Sequence, residues 1–336
     1  MKNSQRSCTH TLKLPLILLL LTVLSALLSI GLGQVRLNPV KAAAALFGGG
    51  SEAERAIIQL VRLPRTGACL LSGMSLAVSG AVIQSVLNNP LAAPNIIGVN
   101  SGAGLAAVIC CALLPAQSVL LPAAAFAGAL LAVLLVLLLS RKAGASRMTV
   151  VLAGVAVSSV LTALIDAVLT FVPDALSGYS DFRIGSFANI QAARLLPAAV
   201  VAAIALLGIA LLHNEMDLLT LGPQTAAALG LNVRRVRRAL LIFAAALAGA
   251  SVSLCGLLGF VGLIVPHMMR RIAGEGSGRL MLCCALGGAS LVTLCDVLSR
   301  VLFAPYELPA GILLSCIGGP FFLWLLIKRR GGHRYD

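Results

Sequence analysis

Charge is scarce in this chain. Only 11% of its 336 residues are charged, and only 11 of them are acidic. Hydrophobic residues make up 59%, and the mean hydropathy is +1.02. That excludes a soluble domain of this length. A helix crosses the hydrocarbon core with about 20 consecutive apolar residues, and most of the chain falls into such runs. The expected fold is an all-α polytopic membrane protein, residues 1–336 forming one transmembrane domain.

Catalytic patterns are also missing. No Gly-Lys pair occurs anywhere, so the chain has no P-loop of its own. No Ser/His/Asp or HExxH arrangement is present. The four histidines, His10, His213, His267 and His333, are too scattered for a shared site, and His267, just after Pro266, suits a structural hydrogen bond. An intramembrane enzyme needs a nucleophile and a base at one depth, and none are found. Nine cysteines occur (Cys8 in the basic N-terminal tail, the rest in or beside apolar runs) without a CxxC pair or a Cys/His cluster. They are expected to pack as small apolar groups, with no metal and no cofactor held by this chain.

Acids inside the apolar runs are nearly absent too. Asp166 and Asp296 lie in or near spans, and intramembrane acids are functional candidates by default. Both are expected near the outer ends of their helices, where they reach water. An ion-driven secondary transporter or channel, which shows intramembrane charges or broken helices at mid-bilayer, is therefore the alternative to the function argued below.

What is present is a series of ten apolar spans: about 14–32, 63–87, 96–114, 119–139, 149–171, 195–212, 239–257, 259–272, 280–298 and 309–327. The first competes with a signal peptide, but it is long for one. Residues 34–61 and 172–194 read as outer segments, the former with some helix near 52–60. Ten spans put both termini on one side. With that side cytoplasmic, seventeen of the 25 Lys and Arg fall inside and eight outside, as the positive-inside rule requires. The net charge of +14 is thus topological and does not indicate a nucleic-acid partner. In the second span Gly73, Ala77 and Ala81 recur every four residues. Such stripes let helices approach closely in lipid, so this span should be central.

The longest ordered polar stretch is 213–238, HNEMDLLTLGPQTAAALGLNVRRVRR. Asn214 can cap a turn that Gly222 stops. Pro223 suits the start, and Gly230 the residue past the end, of a short helix over 223–229. Asn232 can cap the next helix, which opens with Arg234, Arg235, Arg237 and Arg238. The stretch predicts a cytoplasmic docking surface held against the bilayer.

Four segments carry a family resemblance. RLPRTGACLLSGMSLAVSGAVIQSVLNNPLAAPNIIGVNSGAG (62–104), LGPQTAAALGLNVRRVRR (221–238), GFVGLIVPHMMRRIAG (259–274) and ELPAGILLSCIGGPFFLWLLIK (307–328) resemble, in order, signature segments of the FecCD family. These are permease subunits of ABC importers for iron-siderophores, haem and cobalamin. One departure is FRIGSF, where the family suggests a tryptophan near Phe182 and Arg183. The resemblance implies a second permease copy, two cytoplasmic ATPase subunits that bind ATP and Mg, an extracytoplasmic substrate-binding protein, and a bacterial cytoplasmic membrane. It implies ATPase coupling through Leu221, Gly222, Ala226, Ala227, Leu229, Gly230, Arg234 and Arg235. It also implies docking of the binding protein through Arg62, Arg65 and Arg300 on the outer face.

Overall fold

The structure is a computed structural model. It describes residues 2–33, 35, 38, 44–46, 48–115, 119–144, 146–274 and 276–330, leaving aside the side chains of 2–12, 325–326 and 328–330. Among the described residues it is helical, without strands. The helices are Lys2–Gly31 (α1), Glu52–Leu87 (α2), Val99–Leu113 (α3), Leu121–Lys142 (α4), Arg147–Phe171 (α5), Ala175–Ile184 (α6), Ala192–Leu211 (α7), His213–Thr220 (α8), Pro223–Ala228 (α9), Val233–Cys255 (α10), Val261–Ala273 (α11), Ser277–Val301 (α12) and Ala310–Arg330 (α13). Seven of them are long and apolar enough to cross a membrane: α2, α4, α5, α7, α10, α12 and the stretch Lys13–Gly31 of α1. Helix α3 and the stretch Ala310–Trp324 of α13 are shorter apolar helices. The chain is an all-α polytopic membrane protein.

Helix α2 is the axis of the bundle. Ser51 and Glu54 open it with a reciprocal capping box. A π-helical stretch, Ile57–Arg62, leads into Leu63–Leu87. Asn88 ends it in the left-handed conformation at φ 48°. Every side chain from 75 to 87 is buried, against α10, α11 and α12. The small residues explain how. Gly73 lies on the Gly288 backbone of α12, and a Cβ at either glycine would overlap the other's carbonyl. Ala77 packs on the same Gly288, Gly80 lies on the Gly262 backbone of α11, and Ala81 is fully buried. Ser79 Oγ donates to the Ala244 carbonyl of α10 at 2.7 Å. A second polar seam joins α1 to α12, where Thr22 Oγ1 sits 2.8 Å from Ser290 Oγ and donates to the Leu286 carbonyl. In lipid, where apolar side chains gain little by leaving their surroundings, close backbone contact and such bonds hold helices together.

The helices depart from the expected organisation in three places, and the eighth span is as short as its sequence suggests. The third span is broken: a 3-10 turn, Pro94–Ile97, and Gly98 at φ 87° precede the 15-residue α3. The eighth, α11, is short as expected from 259–272: its 13 residues give about 20 Å of helix against a hydrocarbon core of about 30 Å. The outer segment 172–194 contains a helix, α6, whose Ala175, Tyr179 and Phe182 are buried. Finally, Asn214 caps nothing. Helix α8 begins at His213, with only Leu212 between it and the end of α7, and the His213 ring bonds the Ala210 carbonyl through Nδ1.

Candidate functional site

Three regions gather the residues singled out by sequence. The first is at the end of the bundle where α2 begins and α12 ends. Arg62, Arg65 and Arg300 were expected as rim charges on the outer face, and the structure corrects this: all three are buried, at 4%, 6% and 3% exposure. Each guanidinium is committed inside the protein. Arg62 donates to the Ile30 and Gly31 carbonyls at 2.7 and 2.8 Å, and to Val35. It thereby closes the C-terminus of α1, where a helix dipole favours a cation. Arg65 donates to both oxygens of Asp296 and, through Nη1, to Glu307 at 2.9 Å. Arg300 pairs with Asp296 at 3.1 Å and donates to Ser29 Oγ at 2.9 Å.

Asp296 is corrected with them. It does not reach water, for it is fully buried between two arginines. Its oxygens are taken up by the two guanidinium groups. The other acid, Asp166, is exposed in the last two turns of α5. Sequence reasoning missed the cluster, yet one signal was available. Asp296 and Arg300 are four apart on one helix, the spacing at which opposite charges meet. Arg65 and Glu307 arrive from distant parts of the chain and carry no such signal.

The second region is a junction of broken helices. Helix α10 ends at Cys255, and residues 256–260 are not helical before α11 begins. The freed backbone groups bond elsewhere, as irregular chain at membrane depth must. Leu257 N donates to the Phe182 carbonyl at 2.9 Å, Ser186 N to Cys255 at 2.8 Å, and Gly311 N to Gly185 at 3.0 Å. Gly256 has φ 74° and lies against the Phe182 carbonyl, so a side chain there would be both strained and blocked. Beside this junction is a cavity of about 480 Å³ with Asp181, Ser186, Asn189, Gln191, Arg194 and Glu307 in its wall. The FRIGSF stretch lies here, with Phe182 buried.

The third region is the loop 213–238. Helix α8 is fixed to the bundle by buried Met216 and Leu219. Asp217 Oδ1 accepts from the Ser277 amide at the start of α12 (3.0 Å), and Arg147 Nη2 at the start of α5 donates to the Leu219 carbonyl (2.8 Å). Helix α9 runs from Pro223 to Ala228, with Leu229 as its cap residue. Leu231 N donates to Ala226 O and Gly230 N to Ala227 O, both at 3.0 Å. With Gly230 at φ 86°, that is a Schellman closure. Asn232 then caps α10 by accepting from the Arg235 amide at 3.2 Å.

Of the expected coupling residues, Ala226 is buried and faces inward. Ala227 and Gly230 are exposed, and Leu221 and Leu229 are each 60% exposed. The loop therefore presents an alanine face between two leucines, outside the apolar spans. Arg234 and Arg235 are exposed on the first turn of α10. Among the described residues no group of His, Cys, Asp and Glu could hold a metal. The described cysteines are free, and all but Cys111 and Cys316 are buried.

Known proteins place this arrangement. A family model described as the FecCD transport family matches residues 19–328. The Fe(3+)-citrate import system permease protein YfmE of Bacillus subtilis is 35% identical over 97% of this chain and 98% of that protein. The hemin transport system permease protein HmuU of Yersinia pestis is 37% identical over 80% of this chain and 83% of that protein. A solved structure described as an inward-facing conformation of an ABC transporter assigned to the metal-chelate type superposes with a TM-score of 0.84. It is 29% identical, over 94% of this chain and 99% of that one.

Proposed function

The chain belongs to the FecCD transport family, and from that premise we propose how it works. It is the membrane permease subunit of an ATP-binding-cassette importer and not an enzyme; a separate subunit hydrolyses ATP. The cargo is an iron-chelate such as a ferric siderophore or ferric citrate, or haem or a cobalamin-like compound. Relatives named for ferric citrate and for hemin match at 35% and 37% identity, so similarity of this degree does not choose between them. The small and apolar residues of the bundle write no readable code for a cargo either.

In our assignment two copies of this chain pair around the translocation path, in a bacterial cytoplasmic membrane. Ten spans, counting α3, α11 and α13 with the seven long helices, leave both termini in the cytoplasm. A substrate-binding protein delivers cargo from outside. Two ATPase subunits sit beneath and hold ATP and Mg; this chain holds neither. The surface of α9 enters a groove in the ATPase, and nucleotide-driven closure moves the loop and the helices bonded to it.

One observation carries the coupling assignment. A capped helix in a polar loop exposes Leu221, Ala227 and Leu229 while α8 anchors it to the bundle. Exposed leucines on an otherwise ordered loop outside lipid suit a protein partner. Small side chains between them let that partner approach. The test is Ala227→Arg in the assembled importer. Expected is hydrolysis that persists while cargo uptake per ATP collapses, with the bundle intact. Uptake at the normal ratio to hydrolysis removes α9 from the coupling path.

A further inference from the structure

Helices α7 and α10 pack together, and α7 and α12 both pack on α2, but α7 and α12 hardly touch each other. A groove of about 500 Å³ is left between them. One wall is α7, with Leu206 and Ala210, and the other is α12, with Met281 and Ala285. Met74 and Val78 of α2 form the floor. His213, at the start of α8, closes one end beside Gly278, where a Cβ would lie 3.5 Å from the ring. Among the described residues His213 carries the only polar side chain in the wall. The mouth runs into apolar surface. Leu207 and Leu211 of α7 and Leu282 of α12 are exposed beside it, and both helices are long and apolar enough to span.

We infer that this groove is a lipid site: it holds an acyl chain of a membrane phospholipid, with the headgroup at His213. The groove is continuous with the lipid-facing surface, so hydrocarbon is the medium at its mouth. Left empty it has a cost, since atoms that line a void lack partners on one side. It is too small for a span of a second copy. One turn of helix, about 10–12 Å across and about 5.4 Å long, takes up about that volume by itself. An acyl chain is thin and flexible, and Met74 and Met281 are side chains that adapt to such an occupant. The hydrophobic effect does not select it, because a tail only exchanges one apolar surrounding for another. Shape and the polar end select it. At that end His213 Nδ1 bonds the Ala210 carbonyl at 2.8 Å. A carbonyl only accepts, so Nδ1 carries the hydrogen, and in the neutral ring Nε2 is an acceptor. An ethanolamine head offers N–H donors to it, and a choline head offers none. The same end adjoins the bond from the Ser277 amide to Asp217, so the occupant sits where the coupling loop grips α12. The inference takes its leaflet from the topology proposed above and does not depend on the cargo.

The experiment uses the full chain, exchanged into a neutral detergent, with bound lipid counted by native mass spectrometry. Phosphatidylethanolamine, phosphatidylcholine or glycerophosphoethanolamine (the first head without acyl chains) is added. Ala285→Phe fills the groove from α12. Ala210→Phe fills it from α7, at an exposed position. Ala127→Phe is the control, placing the same side chain on an exposed part of α4 away from the groove. Wild type and control are expected to keep one phosphatidylethanolamine per chain, and both groove variants to lose it. Wild type should keep phosphatidylcholine less well. Equal retention in all four proteins would overturn the site. So would a loss in Ala127→Phe as large as in the groove variants, which reports lipid bound anywhere on the surface. Glycerophosphoethanolamine bound as strongly as the lipid would overturn the acyl chain as ligand, and equal retention of the two lipids would overturn the headgroup at His213. A wild-type dimer that holds no lipid, and that Ala285→Phe dissociates, would give the groove to a second copy. If Ala285→Phe unfolds at a lower temperature than wild type, Ala210→Phe decides alone. Neither ATP nor cargo enters the assay, so its failure would leave the transport assignment standing.

Discussion

Replacing Asp296 with asparagine tests the outer cluster most directly. The change keeps shape and removes one charge. In the native protein the carboxylate is fully buried and takes hydrogen bonds from Arg65 Nε and Nη2 at 2.9–3.1 Å and an ion pair from Arg300 Nη2 at 3.1 Å. The substitution would leave two buried guanidinium groups facing each other across a neutral amide. Breaking a buried charge pair by removing one partner costs about 3–5 kcal/mol. Two features push the value down. Glu307 still holds Arg65 Nη1 at 2.9 Å, with 26% of its own side chain exposed, and the amide oxygen still accepts one bond. About 3 kcal/mol follows, a fall in Tm of roughly 6–12 °C by the slope for domains of 150–250 residues. A longer chain lies at the lower end. The assay is thiol labelling during a thermal ramp at fixed scan rate, since such unfolding is irreversible. Cys69 and Cys295 are buried near the cluster and react only on opening, and exposed Cys316 sets the baseline. Adding Arg300→Met to Asp296→Asn should recover much of the loss, because it removes one of the stranded charges. A single variant that opens within about 2 °C of wild type, less than ~1 kcal/mol, would refute the cluster as a structural lock.

Ala77→Leu drives a larger side chain against Gly288 and should cost about 1–3 kcal/mol, the usual penalty of overpacking; a fully stable and active variant would contradict the closeness of α2 and α12. Arg62→Gln removes a cation from the last carbonyls of α1 and should cost about 2 kcal/mol, typical of hydrogen bonds to a charged group. Hydrogen exchange confined to the end of α1 should accelerate, and unchanged exchange there would sink the capping role. Asp217→Ala removes the acceptor for the Ser277 amide, with a cost of about 0.5–2 kcal/mol as for other lost helix caps. Uptake per ATP should fall while the spans stay folded, and an unaltered ratio would show that this bond carries no load.

The long spans were legible because lipid imposes one rule, about 20 apolar residues per crossing, and hydropathy reads it directly. The breaks were not. Gly98 and residues 256–260 lie within or between apolar runs, and hydropathy is blind to where a backbone leaves the helix. Those breaks stand because distant carbonyls such as Phe182 O take up the freed amides, which no local pattern encodes. Helix α6 was legible in principle. Ala175, Tyr179 and Phe182 follow the i, i+4, i+7 period of one buried helical face, but the polar residues between them suggested a loop. The arginines failed for another reason. A basic residue at a span end reads as facing water or headgroups, and only the fold brings Asp296 and Glu307 to Arg65 and the α1 carbonyls to Arg62.

The caps of the coupling loop were readable, apart from Asn214, because glycine, proline and asparagine act on their own neighbours. Its connections were not, and they determine what the loop can move. Through Asp217 it grips the first residue of α12, and through the Leu219 carbonyl it is gripped by Arg147, the first residue of α5. The far end of α12 carries Asp296 and Arg300, bonded to Arg65 of α2 and Ser29 of α1. Between those ends Gly73 and Gly288 bring α2 and α12 into backbone contact, which leaves little room for them to slide. A displacement of α9 is therefore delivered to α12, α2 and α1 as one body. Helix α5 is joined to the loop by the Arg147 hydrogen bond, and it packs on α3, α4 and the 94–97 turn, where Gly154 lies on the Ile96 backbone. Arg147 is the residue whose loss should separate hydrolysis from transport while leaving the α2–α12 body intact.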